Sequence, residues 1–77
     1  MQPRIQLKLY ATLQTFLPTE GEDLPISPGM TVQELLMRLN LPAEKAKLIF
    51  IDGAKADLRS QLHGGERVGI FPPVGGG

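Results

Sequence analysis

The residues with an evident chemical use stand at the end of the chain. The sequence closes with Gly75, Gly76 and Gly77, and a terminal glycine carries a carboxylate whose acyl carbon no side chain shields. ATP can activate such a carboxylate as an acyl adenylate. A sulfide or persulfide would then give a thiocarboxylate at Gly77, whereas a lysine amine would give a protein conjugate. We expect Gly77 to react, and Gly75 and Gly76 to thread a narrow channel in a partner.

Two prolines aim this tail. Pro72 and Pro73 fix φ and force an extended exit from the preceding segment, and residues 72–77 span roughly 20 Å at about 3.3 Å per residue. The alternative is a frayed end or an expression scar, but flexible linkers usually carry serine, which the tail lacks. We predict a domain of residues 1–71 and a tail of residues 72–77 with a stiff base and a flexible tip.

The rest of the composition offers little catalytic chemistry. With no cysteine and one histidine, disulfides, zinc-thiolate sites, iron–sulfur clusters and a cysteine nucleophile are excluded. The sequence also lacks a Gly-x-x-x-x-Gly-Lys phosphate loop. Activation by ATP must therefore come from a separate enzyme, and we expect a carrier with no catalytic site and no bound metal or cofactor.

Length and charge limit the partners. A chain of 77 residues forms one small domain. Eight basic and eight acidic residues give a net charge of zero, which provides no long-range attraction to nucleic acid or anionic membranes. No apolar stretch approaches the roughly 18 residues of a membrane span, and no signal peptide is evident. We expect a cytoplasmic protein.

Hydrophobic periodicity predicts an α+β domain. Ile5, Leu7 and Leu9 alternate with polar residues and predict a strand over residues 4–11. A brief turn follows, and then a second strand near Pro25, whose missing N–H favours an edge position. Thr31 and Glu34 form a capping box ahead of a helix over residues 32–40.

The second half of the chain predicts more strands. Residues 48–51 form a buried strand that ends at an Asp-Gly turn, residues 56–58 pair back, and residues 67–71 form the last strand. One helix must cover one face of a small mixed sheet. Alternation places Phe71 on the face opposite Val68 and Ile70, where it could serve as an interface anchor. His63 is predicted to be a turn residue.

Three segments resemble a known family. Residues 7–13, 31–36 and 65–77 are similar to the MoaD/ThiS sulfur-carrier family, which has the ubiquitin-like β-grasp fold. The Phe-Pro-Pro-Val-Gly ending looks more like MoaD, the small subunit of molybdopterin synthase. Gly75 and the Gly64-Gly65-Glu66 turn depart from the family pattern.

The resemblance implies partners and site residues. A MoeB/ThiF-type enzyme would adenylate Gly77 with ATP and magnesium, a desulfurase or rhodanese-type donor would supply sulfur, and a MoaE-like large subunit would accept the tail. Gly76 and Gly77 match the essential glycine pair. Phe71, Pro72, Pro73 and Val74 match the segment that binds the partner's groove.

Several alternatives remain open at this stage. The sulfur acceptor could belong to molybdenum cofactor, tungsten cofactor, thiazole or another pathway, and the chain could instead be a ubiquitin-like modifier or a β-grasp binding module with an inert tail. Most surface charges only solvate the fold, but Arg67 near the base of the tail could pair with an acidic rim on the activating enzyme.

Overall fold

The first strand contributes core residues and is followed by a helical turn. The computed structural model describes residues 3–19 and 21–73. Strand β1 (Arg4–Leu9) buries alternate residues, as its period of two predicts. The predicted end at Ala11 is wrong, because Ala11 has a φ of 54° and begins a 3₁₀ helix, Ala11–Phe16, that buries Leu13.

The strand that contains Pro25 lies at an edge of the sheet. After a short 3₁₀ turn, Gly21–Asp23, strand β2 (Leu24–Pro25) pairs antiparallel with β1. It is the outermost strand on that side of the sheet, where the missing N–H of Pro25 removes no interior ladder bond. The predicted edge position is confirmed.

The helix begins where the capping box predicts. Helix α1 (Val32–Arg38) starts after Thr31, whose Oγ1 accepts the Glu34 N–H at 3.2 Å while Glu34 Oε1 accepts the Thr31 N–H at 2.9 Å. The predicted end at Asn40 is wrong. Asn40 has a φ of 59°, a left-handed conformation typical of residues that terminate helices.

The remaining strands close the main sheet. Strands β4 (Leu48–Ile51), β5 (Ala54–Ala56) and β7 (Arg67–Phe71) join β1 and β2 in the order β2-β1-β7-β4-β5. Only β1 and β7 run parallel among these neighbours, so the predicted mixed sheet is confirmed. Asp52 and Gly53 both have positive φ, as a tight type I′ hairpin requires. Strand β5 therefore begins two residues before the predicted pairing segment.

A second, two-stranded sheet was not predicted. Strands β3 (Met30–Thr31) and β6 (Gln61–Leu62) pair antiparallel, next to a hydrogen bond from the Val32 N–H to the Ser60 carbonyl at 2.9 Å. Two-residue strands are too short to show alternation. This small sheet ties the start of α1 to the loop between β5 and β7.

The core lies between α1 and one face of the main sheet. The side chains that fill it are aliphatic, and within the described residues no polar or charged residue is buried. From α1 the buried residues are Val32, Leu35 and Leu36. Across the described ranges, no helix has the length and apolarity that a membrane crossing requires. The other face of the sheet is left open by the helix.

Candidate functional site

Three aromatic rings form a cluster on the open face of the sheet. Tyr10 and Phe71 stack with centroids 4.1 Å apart and planes 1° from parallel. Phe50 meets Phe71 edge-on at 5.8 Å and 87°. Both arrangements are favourable ring geometries. We call Tyr10, Phe50 and Phe71 the aromatic patch; Phe71 is its central ring.

Strand alternation explains why these rings share one face. In β7, Val68 and Ile70 are buried, so Phe71 points the opposite way, as predicted. In the pairing of β4 with β7, Phe50 lies opposite Gly69. A Cβ on Gly69 would stand 3.4 Å from the Tyr10 ring, so the bare backbone there gives Tyr10 room to lie close to the sheet.

Sequence reasoning missed Tyr10 and Phe50. The alternation of β1 was a signal for Tyr10, because Leu9 points inward and the next residue must then point outward. Phe50 stands inside a continuous apolar run, where alternation gives no face. Only the register with β7 places it beside Phe71.

The aromatic patch stands at the root of the tail. The Lys47 N–H donates to the Phe71 carbonyl at 2.9 Å, and the Tyr10 N–H donates to the Ile70 carbonyl at 3.2 Å. Strand β7 is thus held to both neighbours up to its last residue. Pro72 is half-buried and Pro73 exposed. The predicted site residues Val74, Gly75, Gly76 and Gly77 lie outside the described residues.

Arg67 lies on the same open face. It is exposed and stands opposite Gln6 in the parallel pairing of β1 with β7. Its backbone N–H donates to Asp52 Oδ1 at 3.0 Å. A groove of about 410 Å³ runs along this face, lined by Arg67, Lys8 and the aromatic patch among others. The structure therefore brings two predicted partner-binding residues, Arg67 and Phe71, onto one surface.

The turn before β7 is held by Glu66. Its carboxylate accepts the His63 N–H at 2.8 Å and the Gly64 N–H at 2.7 Å. Partial burial acts to raise the pKa of Glu66, but hydrogen bonds from backbone N–H groups and the nearby His63 outweigh it and lower the pKa. Gly64 has a φ of 129°, and a Cβ there would stand 2.7 Å from Pro3 Cβ. His63 is a turn residue here, as predicted.

Metal-binding clusters are missing from residues 3–19 and 21–73, where no group of three or more His, Asp or Glu side chains could hold an ion. The features that can act on a partner in this part of the chain are the aromatic patch, the neighbouring basic side chains and the start of the tail. This arrangement is suited to docking on a partner protein.

The profile of the ThiS family matches residues 7–77. A search of curated protein sequences gave no significant match.

Solved structures resemble the chain along nearly its whole length. A Pyrococcus furiosus protein described as a molybdopterin converting factor, subunit 1, has a TM-score of 0.69 and 21% identity, covering 94% of this chain and 99% of that one. The Haloferax volcanii HVO 2177 protein has a TM-score of 0.76 and 19% identity, with coverages of 99% and 88%.

Haloferax volcanii small archaeal modifier protein 1 is also similar, with a TM-score of 0.68, 20% identity and coverages of 94% and 99%. At these identities the likenesses show the fold. The predicted ubiquitin-like β-grasp fold is confirmed.

Proposed function

The chain belongs to the ThiS family, and on that premise we propose that it is a sulfur carrier whose working group is the carboxylate of Gly77. A separate MoeB/ThiF-type enzyme, using ATP and magnesium, joins this carboxylate to AMP and releases pyrophosphate. The terminal sulfur of a persulfide on a desulfurase or rhodanese-type donor then attacks the acyl carbon as AMP leaves. A thiol cleaves the resulting acyl disulfide, forming a disulfide with the donor and freeing the thiocarboxylate. The resulting thiocarboxylate carries sulfur to an acceptor.

The observation that carries this proposal is the position of the aromatic patch directly before the tail. Phe71 is the last residue of β7, and its ring is fixed by Tyr10 and Phe50. Tyr10 is exposed and Phe71 is half-buried, and aromatic side chains are enriched at protein interfaces. A partner that docks on this patch receives a tail whose first residues are stiffened by Pro72 and Pro73.

The same geometry supports a division of labour between this chain and its partner. The folded body supplies docking and direction, and the chemistry of activation takes place in the partner, so the carrier itself has no catalytic role. The Phe-Pro-Pro-Val-Gly ending and the likeness to the Pyrococcus protein favour molybdopterin synthesis, with a MoaE-like large subunit as the sulfur-transferring partner. The thiazole pathway is the alternative within the family.

Intact-mass spectrometry tests the proposal. The protein is incubated with ATP, magnesium, a MoeB/ThiF-type enzyme and a sulfur donor, and we expect a mass increase equal to exchange of one oxygen for one sulfur. A variant that lacks Gly76 and Gly77 is the control and should keep its mass. An unchanged mass of the wild type beside an enzyme that thiocarboxylates its own carrier would contradict the proposal, as would a natural protein that continues beyond Gly77.

A second candidate function is supported by the likeness to small archaeal modifier protein 1. In this reading, Gly77 is joined to lysine amines of other proteins through the same acyl adenylate. Immunoblots of cell extracts would then show ladders of higher mass that vanish when Gly77 is deleted. A ladder that persists in that deletion strain would exclude conjugation through this residue.

A further inference from the structure

A second cleft lies at the root of the tail, apart from the open face. It has a volume of about 340 Å³ and is bordered, among other residues, by Phe16, Lys45, Pro72 and Pro73. We call it the root cleft. None of the described residues that line it also lines the groove of the open face. A change in its walls can therefore alter the exit of the tail without touching the aromatic patch.

One wall of the root cleft is the 3₁₀ helix Ala11–Phe16. A hydrogen bond from the Leu17 N–H to the Gln14 carbonyl at 3.1 Å closes its last turn. Leu13 is 1% exposed, so the helix is anchored in the core. Phe16 is half-buried and packs against the same core. The position of its ring is thus set by the folded body.

A second wall comes from the 3₁₀ helix Ala43–Lys45. The Ala46 N–H donates to the Ala43 carbonyl at 3.0 Å, and Ala46 is buried in the core. The Lys47 N–H donates to the Phe71 carbonyl at 2.9 Å. These bonds place the second helix beside the end of β7, where the tail begins.

The two helices are joined by a cation and a ring. Lys45 Nζ stands over the Phe16 ring, 5.9 Å from its centroid, within the range of a cation–π interaction. Lys45 is exposed and forms no ion pair within 4 Å with any residue that the structure describes. The ammonium is therefore directed to the ring, and the pair links the two walls next to Pro72.

We infer that Phe16 and Lys45 are positioning residues for the tail. They hold Pro72 between the two 3₁₀ helices and so set the direction in which the chain leaves the body. Pro72 is half-buried and Pro73 exposed, so the guided segment ends at Pro72. This inference rests on the proposed function, in which Gly77 must reach ATP inside another protein. It assigns direction to a surface separate from the aromatic patch.

A small change of direction at Pro72 has a large effect at the reacting end. Residues 73–77 reach about 16 Å at ~3.3 Å per residue, so a turn of about 10° moves the end of a fully extended tail by about 3 Å. Misplacement of a reacting group by about 1 Å can cost up to about a hundredfold in rate. A channel in the partner corrects part of this error, so we expect a smaller loss of rate and no loss of docking.

Variants of the pair and matched controls test this inference. Lys45→Gln removes the ammonium, and Lys47→Gln removes the same charge two residues away, outside the root cleft. Phe16→Leu replaces the ring by a smaller apolar side chain, and Met37→Leu changes a side chain that is 71% exposed in α1. Lys45→Arg keeps a cation over the ring. Circular dichroism verifies that each variant is folded.

The order of the tail root is measured without a partner. Pro72 has no N–H, so ¹³Cα relaxation in solution NMR gives its order parameter. We expect the wild type, Lys45→Arg and both controls to give about 0.85, the value of a rigid backbone. Lys45→Gln should give a lower value, and Phe16→Leu should fall furthest, toward about 0.6.

The effect on activation is measured with a purified MoeB/ThiF-type enzyme. ATP–pyrophosphate exchange gives kcat and KM, and fluorescence anisotropy of the labelled carrier gives Kd. We expect kcat to fall about tenfold in Phe16→Leu and about threefold in Lys45→Gln, with no rise in KM and Kd within about twofold of the wild type. Lys45→Arg and both controls should keep the wild-type kcat.

Equal Pro72 order and equal kcat in the pair variants and their controls overturn the inference while leaving the proposed function in place. Three other results also overturn it: a lower kcat with unchanged Pro72 order, a loss of that order with unchanged kcat, and a higher Kd with unchanged kcat. Loss of Pro72 order in the pair variants of a carrier whose wild type is not adenylated, beside an enzyme that adenylates its own carrier, supports the positioning pair and overturns the proposed function.

Discussion

The same alternating strands form both faces of the main sheet, but helix α1 packs on only one of them. On the covered face, Leu7, Val68 and Ile70 pack under α1 and are almost wholly buried. On the open face, Tyr10 and Phe71 stack on each other; Tyr10 is exposed and Phe71 half-buried. A side chain on the first face stabilises the fold, whereas one on the second is available for a partner. Stability and docking should therefore respond to different substitutions.

The largest effect on stability is expected on the covered face. Leu36 in α1 is 1% exposed, and Leu36→Ala should lower the free energy of unfolding by about 2–5 kcal/mol, because buried methyl groups are lost and a cavity remains. Urea titration followed by circular dichroism measures this change. Leu36→Met conserves volume and should cost under about 1.5 kcal/mol. An alanine variant as stable as the wild type would show that α1 does not close the core.

On the open face, substitutions should change docking more than stability. Tyr10→Ala removes the ring stacked on Phe71, and we expect a loss of only about 1 kcal/mol of stability. The KM for adenylation should rise about tenfold, because Phe71 loses the ring that fixes it. Chemical denaturation and ATP–pyrophosphate exchange measure the two effects. Tyr10→Phe keeps the stack and serves as control; equal KM values for the two variants would contradict a docking role for the ring.

Glu66 lies in the turn that leads into β7, a strand with side chains on both faces of the sheet. Its pKa is lowered in the folded protein, so the unfolded chain binds the proton more readily and folding is favoured by deprotonation. The stabilisation is present above the ordinary pKa of 4.5 and is lost as the pH falls through the lower pKa of the folded state. Thermal unfolding should show Glu66→Gln to be less stable than the wild type at neutral pH, with the difference shrinking in acid. A difference independent of pH would exclude this role of the carboxylate.

Local signals in the sequence were sufficient for much of the covered face. The Thr31–Glu34 capping box fixed the start of α1, and alternation in β1 and β7 identified the core residues, because one buried face imposes a period of two. Pro25 marked the edge strand through its missing N–H. These features depend on neighbouring residues along the chain.

Register and backbone conformation were harder to predict. The pairing that brings Phe50 next to Phe71 joins strands distant in sequence, and β3 and β6 are too short to leave a pattern. The end of α1 is set by the left-handed Asn40, a conformation that asparagine only favours. The chemistry expected of the tail stays a prediction from residue types: glycine has no Cβ, and the ring of proline fixes φ.

Ala11 begins the 3₁₀ helix after Tyr10, and substitutions there should change stability least. It follows Tyr10 with a φ of 54°, a left-handed conformation that costs a residue with a Cβ roughly 1 kcal/mol. Ala11→Gly removes this cost but increases the entropy of the unfolded chain, so we expect a net gain of about 0.5 kcal/mol in the free energy of unfolding. Ala11→Val, which cannot adopt this conformation without strain, is the opposing control and should be destabilised. The KM of the activating enzyme for the Ala11→Gly variant should stay within about twofold of the wild type. The stack on Phe71 holds the Tyr10 ring independently of the turn. A glycine variant with higher stability but a much higher KM would show that the left-handed turn, and not the stack, positions Tyr10.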